Sequence, residues 1–431
     1  MNVSVSTVSP FAAEEQAPPG AGTFTRLGKA ATLLAELIDP RRAVENLFGN
    51  RLLEITGTEV SSGRNLSLLY AGSGHNLTWL LNRLYDGFTV HRNLRLRNPL
   101  ELRREIRKRM RDSDLLVVDS GAPAGVIMPD ESALRVPPWV RQRLTIARNW
   151  AATEAQISSS ARRRAERRLL RRGYRRDFST GSRDFFEFYH RFYRPSAKRR
   201  HGHDAVIVSR EHFRAECRRG YLIRLWQDGE LKAAALLQRF GREMASVWGG
   251  TTATEEGTPP QGLSDVLDYC IIRHAWQQGC RMLDLGPSRP RLFDGVLQYK
   301  KKWGAQVRFP RMPRADLVLK PLRMNAAVTG FLSTAGLVVR DPCGPVAKLL
   351  FADRPCTGAD LEQLFRRYAA SGIERYEVFA MQGFTADASG WVSESPHAID
   401  LIDLARSERP EETFCRPLRG SGHDALRTHR P

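Results

Sequence analysis

The chain has 431 residues, 42% of them hydrophobic, and its 67 Lys and Arg against 47 Asp and Glu give a formal charge of +20. That size predicts two or three modules with ordinary cores and excludes a globally disordered chain. The cation excess, mostly arginine, points to an anionic partner: nucleic acid, a phosphorylated metabolite, a coenzyme or an acidic membrane surface. Cys217, Cys270, Cys280, Cys343, Cys356 and Cys415 form no CxxC or Cys/His cluster. Their spacing argues against a zinc site and a disulfide framework and fits a reducing compartment.

Residues 1–22 are rich in Ser, Ala, Pro and Gly. They read as a disordered tail without the basic and apolar regions of a signal peptide. Leu33, Leu34, Leu37 and Ile38 suggest an amphipathic helix over 28–48. No apolar run reaches the ~18 residues a membrane-spanning helix needs, so the expected location is cytoplasmic.

From residue 64 onwards the pattern alternates. "NLSLLYAG" predicts a strand, "HNLTWLLNRLYDG" a helix ending at Gly87, and "FTVHRNLRL" a strand. "NPLELRREIRKRMRDS" predicts a helix with Pro99 in its first turn, and "DLLVVDS" a further strand. This order predicts a parallel α/β unit. "AGSGHN", after the first strand, is either a phosphate-holding loop or an ordinary βα turn, and the turn is the better reading because neither GxGxxG nor a P-loop is present.

"WAATEAQISSSARRRAERRLLRRGYRRDF" predicts two helices broken at the serines, the second capped by Ser160 and ending at Gly173. Nine arginines fall between Arg162 and Arg176, so part of this helix faces water or an anion. Arg163, Arg167 and Arg171 are spaced to lie along one side. "DFFEFYHRFYRPSAKRRHGHD" is an aromatic-rich helix followed by His201 and His203, a pair that lacks a third metal ligand nearby. Residues 220–251 predict a three-stranded antiparallel meander, followed by the helix "LSDVLDYCIIRHAWQQG" closed by Gly279 and the strand "CRMLDLG". Further on, "VAKLLFAD" and "ERYEVFAM" flank "TGADLEQLFRRYAASG", a βαβ pattern with a Thr357/Asp360 capping box and Gly372 as C-cap. The last twenty-odd residues read as disordered.

This order, with "GCRMLDLGPS" and "DGVLQYKKKWG", resembles the GNAT acyltransferase superfamily, and within it the Fem-type branch with its related acetyltransferase-like proteins. The resemblance spans roughly residues 145–310. It rests on Gly279, Met282, Asp284 and Gly286, then on Asp294, Gly295, Tyr299, Lys300, Trp303 and Gly304. Met282 stands where an aromatic residue is more usual. The implied fold is α/β (α+β): a GNAT-like fold with a splayed mixed sheet, an N-terminal α/β subdomain and a C-terminal βαβ extension. The expected modules are a tail and helix at 1–50, the subdomain at 51–145, the acyltransferase core at 146–320, the extension at 321–410 and a tail at 411–431.

The resemblance implies an acyltransferase in which Lys300 stabilises the developing oxyanion. On a helix, Tyr299 and Trp303 share the anchored face, with Lys300 beside it and Lys301 and Lys302 turned to solvent. A plain surface lysine is the alternative for Lys300. Asp284, at the end of a strand, either binds substrate, removes a proton or caps the next turn. Trp248, Tyr299, Asp294, Arg163, Arg167 and Arg171 are the substrate-binding candidates, with a core position the commoner outcome for a tryptophan such as Trp248, and Glu255 and Glu256 are weaker general-base candidates. "GTPPQGLSDVL" puts prolines where the superfamily's usual loop offers amides to a pyrophosphate. An acyl-CoA donor would then be held by basic side chains. The expected function is transfer of an acyl or aminoacyl group to an amine or hydroxyl of an anionic envelope or polysaccharide precursor, without a metal. The alternatives are a tRNA-dependent Fem-type aminoacyltransferase and a non-enzymatic nucleic-acid or membrane-surface binder. The oligomeric state is not readable from the sequence.

Overall fold

The computed structural model describes residues 51–72, 76–96, 98–119, 133–201, 207–253, 260–310 and 316–416. The N-terminal tail and 28–48 helix, His203, Glu255, Glu256 and residues 417–431 lie outside them, and the tail expected from 411 is corrected at its start, where Pro410–Cys415 form a helix with Phe414 and Cys415 buried. In chain order the elements begin with β1 (Arg51–Glu59), β2 (Asn65–Gly72), α1 (Leu77–Leu84), β3 (Tyr85–Arg95), α2 (Pro99–Arg109), β4 (Leu115–Asp119) and β5 (Leu134–Val136). Then come β6 (Val140–Thr145), α3 (Trp150–Glu154), α4 (Ser159–Arg171), β7 (Arg175–Ser179), α5 (182–201, with a π-helical turn at Phe188–Tyr193) and α6 (Arg210–Cys217). The meander β8 (Gly220–Gln227), β9 (Glu230–Phe240) and β10 (Glu243–Thr251) leads to α7 (Leu263–Gln277), β11 (Met282–Ser288), α8 (Gly295–Lys301) and β12 (Gln306–Arg308). The rest is β13 (Leu317–Pro321), α9 (Ala326–Ala335), β14 (Leu337–Asp341), β15 (Gly344–Phe351), α10 (Gly358–Tyr368), β16 (Arg375–Ala380), α11 (Ala386–Glu394), β17 (Ile399–Asp403) and α12 (Pro410–Cys415).

The chain divides into two compact units. The described part of the first is Arg141–Pro287 with Tyr299–Gln306; the second takes 51–140, Ser288–Gln298 and 307–416. The first unit is built on the sheet ordered β12-β6-β11-β10-β9-β8-β7. One sheet face packs on α4 and α7 through Ala161, Ala165, Leu169, Val266, Cys270 and Ile271. The other packs on α5 and α6 through Phe188, Phe192 and Phe213. The β8–β9 turn is Asp228-Gly229, both at positive φ, the geometry that matches the twist of a two-residue hairpin.

The second unit holds a six-stranded sheet, β3-β1-β2-β4-β13-β5, and a four-stranded one, β14-β15-β16-β17. Here the expected all-parallel order fails. β2 and β4 are parallel, but β3 turns back antiparallel onto β1, a strand the hydropathy pattern did not mark. α1 also ends at Leu84, and Tyr85–Gly87 belong to β3 rather than to the helix. The Thr357/Asp360 capping box of α10 is present. Gly372, at φ +85, turns a loop beyond the helix end at Ala369 instead of capping it. Among the described residues no helix is long and apolar enough to cross a membrane, and no group of His, Cys, Asp and Glu could hold a metal ion.

Candidate active site

The site begins where two strands part. β10 pairs parallel with β11 at Glu243↔Met282, Met244↔Leu283 and Ala245↔Asp284. Immediately beyond, a bulge between Ser246 and Trp248 bends β10, leaving Val247 as the extra residue. On β11, Gly286 adopts φ +85, a left-handed conformation that glycine takes without strain. The space where its Cβ would stand is bordered by the Ser246 carbonyl oxygen at 3.6 Å and the Lys300 Nζ at 3.7 Å.

Lys300 is carried there by α8. Its Nζ donates to the Pro287 carbonyl at 2.7 Å, so the ammonium lies against the end of β11. The residues after it fix the helix. Tyr299 OH donates to Asp268 Oδ2 at 2.6 Å on α7. Lys302 Nζ bonds Asp265 Oδ1 at 2.7 Å and sits 3.9 Å from the Tyr299 ring centroid. Trp303 is fully buried. Lys302 therefore does not turn to solvent, because Asp265 holds it, and Lys301 is half-buried, with burial lowering its pKa. Burial pushes the Asp268 carboxyl up, opposed by the Tyr299 hydrogen bond. The Tyr299 hydroxyl is driven well above its ordinary value by burial and by Asp268.

Asp284 is fully engaged. Its Oδ1 accepts from the Gly286 amide at 2.8 Å, closing the turn at the parting point. Its Oδ2 meets Arg141 Nη2 at 2.8 Å and Arg143 Nε at 3.2 Å, both from β6. Asp294 Oδ1 accepts from the amides of Val296 and Leu297 and caps the start of α8. Trp248 packs on the opposite sheet face from Tyr299, 5.4 Å from the rings of Tyr193 and Phe213.

In α4 the buried residues are Ala161, Ala165 and Leu169, while Arg163, Arg167 and Arg171 form an exposed row. The helix begins at Ser159, with Ser158 rather than Ser160 in the N-cap position. Arg162 pairs with Glu154 at 3.0 Å, and Arg168 reaches Asp265 at 3.8 Å. Structure thus brings Lys300, Asp284 and Tyr299 into one neighbourhood and leaves Trp248 and the arginine row outside it.

Sequence reasoning missed Asp265, Asp268, Arg141, Arg143 and Arg168. A signal existed for the first two: "LSDVLDYC" sets two carboxylates one turn apart in a mostly apolar helix, and buried carboxylates need partners. Residues 257–259 of "GTPPQG" lie outside the described residues. Gly262, at φ +74, begins α7, and a Cβ there would fall 1.6 Å from Arg168 Nη1. A guanidinium therefore packs directly against this helix start.

The family model for the acetyltransferase (GNAT) domain matches residues 159–301, from the start of α4 to the end of α8. No curated protein matches the sequence. Among solved structures, L-PGS from Bacillus licheniformis is 12% identical, covering 67% of this chain and 89% of that one, with a TM-score of 0.31. FemX is 12% identical over 62% and 83%, with a TM-score of 0.33. A GCN5-related N-acetyltransferase from Sphaerobacter thermophilus is 14% identical over 60% and 73%, with a TM-score of 0.29. These are distant likenesses and say nothing of substrate. The meander, the parted strands and the family match converge on residues 159–301 as an acyltransferase domain of the GNAT superfamily.

Proposed function

We propose that the chain transfers an acyl group from a coenzyme A thioester to an amine or hydroxyl of an anionic envelope or polysaccharide precursor, with Lys300 as the oxyanion-stabilising residue. The observation that carries this reading is the Lys300 ammonium held at the parting of β10 and β11 beside Gly286. In the reaction the acceptor nitrogen or oxygen attacks the thioester carbonyl carbon. Negative charge gathers on the carbonyl oxygen, and collapse breaks the C–S bond, releasing the thiol while the acceptor gives up its proton. A fixed ammonium at that oxygen favours the tetrahedral state over the planar thioester. Tyr299, Lys302 and Trp303 supply the rigidity by locking α8 onto α7.

Asp284 is engaged by two guanidiniums and an amide. Its role in this reading is to hold the Gly286 turn open for substrate. Arg168 at the start of α7 and Arg200, which donates to Ser264 Oγ at 3.2 Å, provide cationic side chains near that helix start and suit a pyrophosphate held by side chains. In this reading Asp294 acts by fixing the α8 start, and Trp248 by packing in its aromatic cluster.

The test is thiol release from acetyl-CoA across a panel of amino-sugar and polyol phosphate acceptors. Lys300→Met is expected to cut turnover by about 100-fold or more, with an unchanged melting temperature. Lys301→Met is expected to change it little. Equal small effects from both would remove Lys300 from the chemistry.

A second reading, a tRNA-dependent aminoacyl transfer, is favoured by the exposed row of Arg163, Arg167 and Arg171. Mass spectrometry of co-purifying ligands separates the two: acyl-CoA supports the first reading, and charged tRNA the second.

A further inference from the structure

The second unit carries an open sheet edge. β3 is the end strand of its sheet, and among the described residues no strand pairs with its outer edge. It is eleven residues long, and all of them except Tyr85 and Leu94 are exposed. By contrast, β7 and β17, which end the other two sheets, are mostly half-buried. Phe88 and Val90 on β3 are 46% and 45% exposed, and Val60, just past β1, is 47% exposed. These are three of the six large apolar side chains exposed in the described chain. An open edge with apolar side chains is a template for another strand.

Two bulges delimit that edge. The register against β1 shifts between Glu54 and Ile55 and between Thr58 and Glu59, which leaves His91 and Asp86 as the extra residues. Between them Gly87, Phe88, Thr89 and Val90 pair regularly with Thr58, Gly57, Thr56 and Ile55. The regular stretch is therefore short and flanked by charge, Asp86 at one end and Arg92 at the other.

We infer that β3 is a self-association edge, and that its occupant is the β3 strand of a second copy of this chain, paired antiparallel about a two-fold axis at Thr89. This register is self-complementary. It sets Phe88 opposite Val90 of the second copy and Asp86 opposite Arg92 of the second copy, and the symmetry repeats each pair. A shift by one residue in either direction loses both matches at once. Arg92 is available for sharing because Glu54, 3.4 Å from it, also has Arg109 at 2.5 Å. The formal charge of +20 on each copy opposes association, so the dimer is weak and is best measured at physiological salt.

Sedimentation of the full chain, from low to hundreds of micromolar, tests this. The expected result is a concentration-dependent monomer–dimer equilibrium. Asp86→Arg alone, which faces Arg92, and Arg92→Asp alone, which faces Asp86, should each weaken it about tenfold, since like charges oppose twice. The double exchange, Asp86→Arg with Arg92→Asp, should restore the wild-type constant. Melting temperatures of all three should stay near wild type, because both side chains are exposed. A chain that is monomeric throughout would overturn the inference, and so would a double exchange no tighter than the singles. Acetyl-CoA turnover is independent of this test.

Discussion

Lys300 and its two lysine neighbours show how little residue type decides. The sequence offers three adjacent ammoniums, and structure gives each a different fate: one on a strand-end carbonyl, one half-buried, one in a bond to Asp265. The carboxylates beneath them matter as much. Asp268 is half-buried and desolvation raises its carboxyl, so the folded chain keeps this proton to higher pH than the unfolded chain. Its ionisation therefore costs stability: no cost arises below the unfolded value of about 3.9, and the full cost is present above the folded value. Asp268→Asn keeps an acceptor for Tyr299 and removes the charge. The wild type should therefore gain melting temperature relative to Asp268→Asn as pH falls from 7 towards 4, with Arg200, Lys302 and Asp265 as the other charges facing the site. A difference that is flat with pH, or that grows in the opposite direction, would contradict the burial argument. His274 behaves oppositely: burial holds its pKa down at about 3, so it stays neutral in its contact with Tyr221 OH at 2.8 Å.

At the scale of elements, legibility followed the locality of the signal. The meander was readable because its turns are two-residue glycine turns, and the α10 capping box because Thr357 and Asp360 lie one turn apart. β6 carried a period-2 signal that went unread: Val140, Gln142 and Leu144 are buried, and Arg141 and Arg143, half-exposed, alternate with them. The motif around Lys300 was legible because it is contiguous. Its supports were not, because Asp268 lies 31 residues from Tyr299 and Arg141 lies 143 from Asp284. α4 shows the limit of a charge run, since Arg162 and Arg168 are used within the fold while Arg163, Arg167 and Arg171 face outward. If that row meets tRNA, the log–log salt slope of binding should be about −0.7 to −0.9 per phosphate neutralised. Replacing all three with Gln should then flatten it by about two to three units and abolish transfer from charged tRNA. If the donor is a small thioester, filter binding should show the lost slope without any loss of acetyl-CoA turnover.

For the molecule as a whole, what the sequence hid is long-range strand order. β13 enters between β4 and β5, and no local pattern announces that insertion. The end of the described chain is tied in by another device of the same range. Lys348 on β15 and Glu377 on β16 are register partners in a parallel pair and form a buried ion pair. Lys348 Nζ also donates to the Phe414 carbonyl at 2.9 Å at the end of α12. One ammonium thus satisfies a buried carboxylate and holds the last helix. Breaking such a pair by removing one partner leaves a buried charge and typically costs about 3–5 kcal/mol. Arg375, 3.0 Å from Glu377 Oε1, softens that cost here. Lys348→Met should therefore destabilise by roughly 2–4 kcal/mol, read as a lower urea midpoint and faster amide exchange in 410–415. Lys348→Met with Glu377→Leu removes both charges and should recover most of the midpoint. Amide exchange in α12 should stay fast, because the bond to the Phe414 carbonyl is gone in both variants. Recovery of α12 protection in the double variant would show that the helix is held by apolar packing of Phe414 against Phe379, at 4.7 Å between ring centroids, rather than by the ammonium.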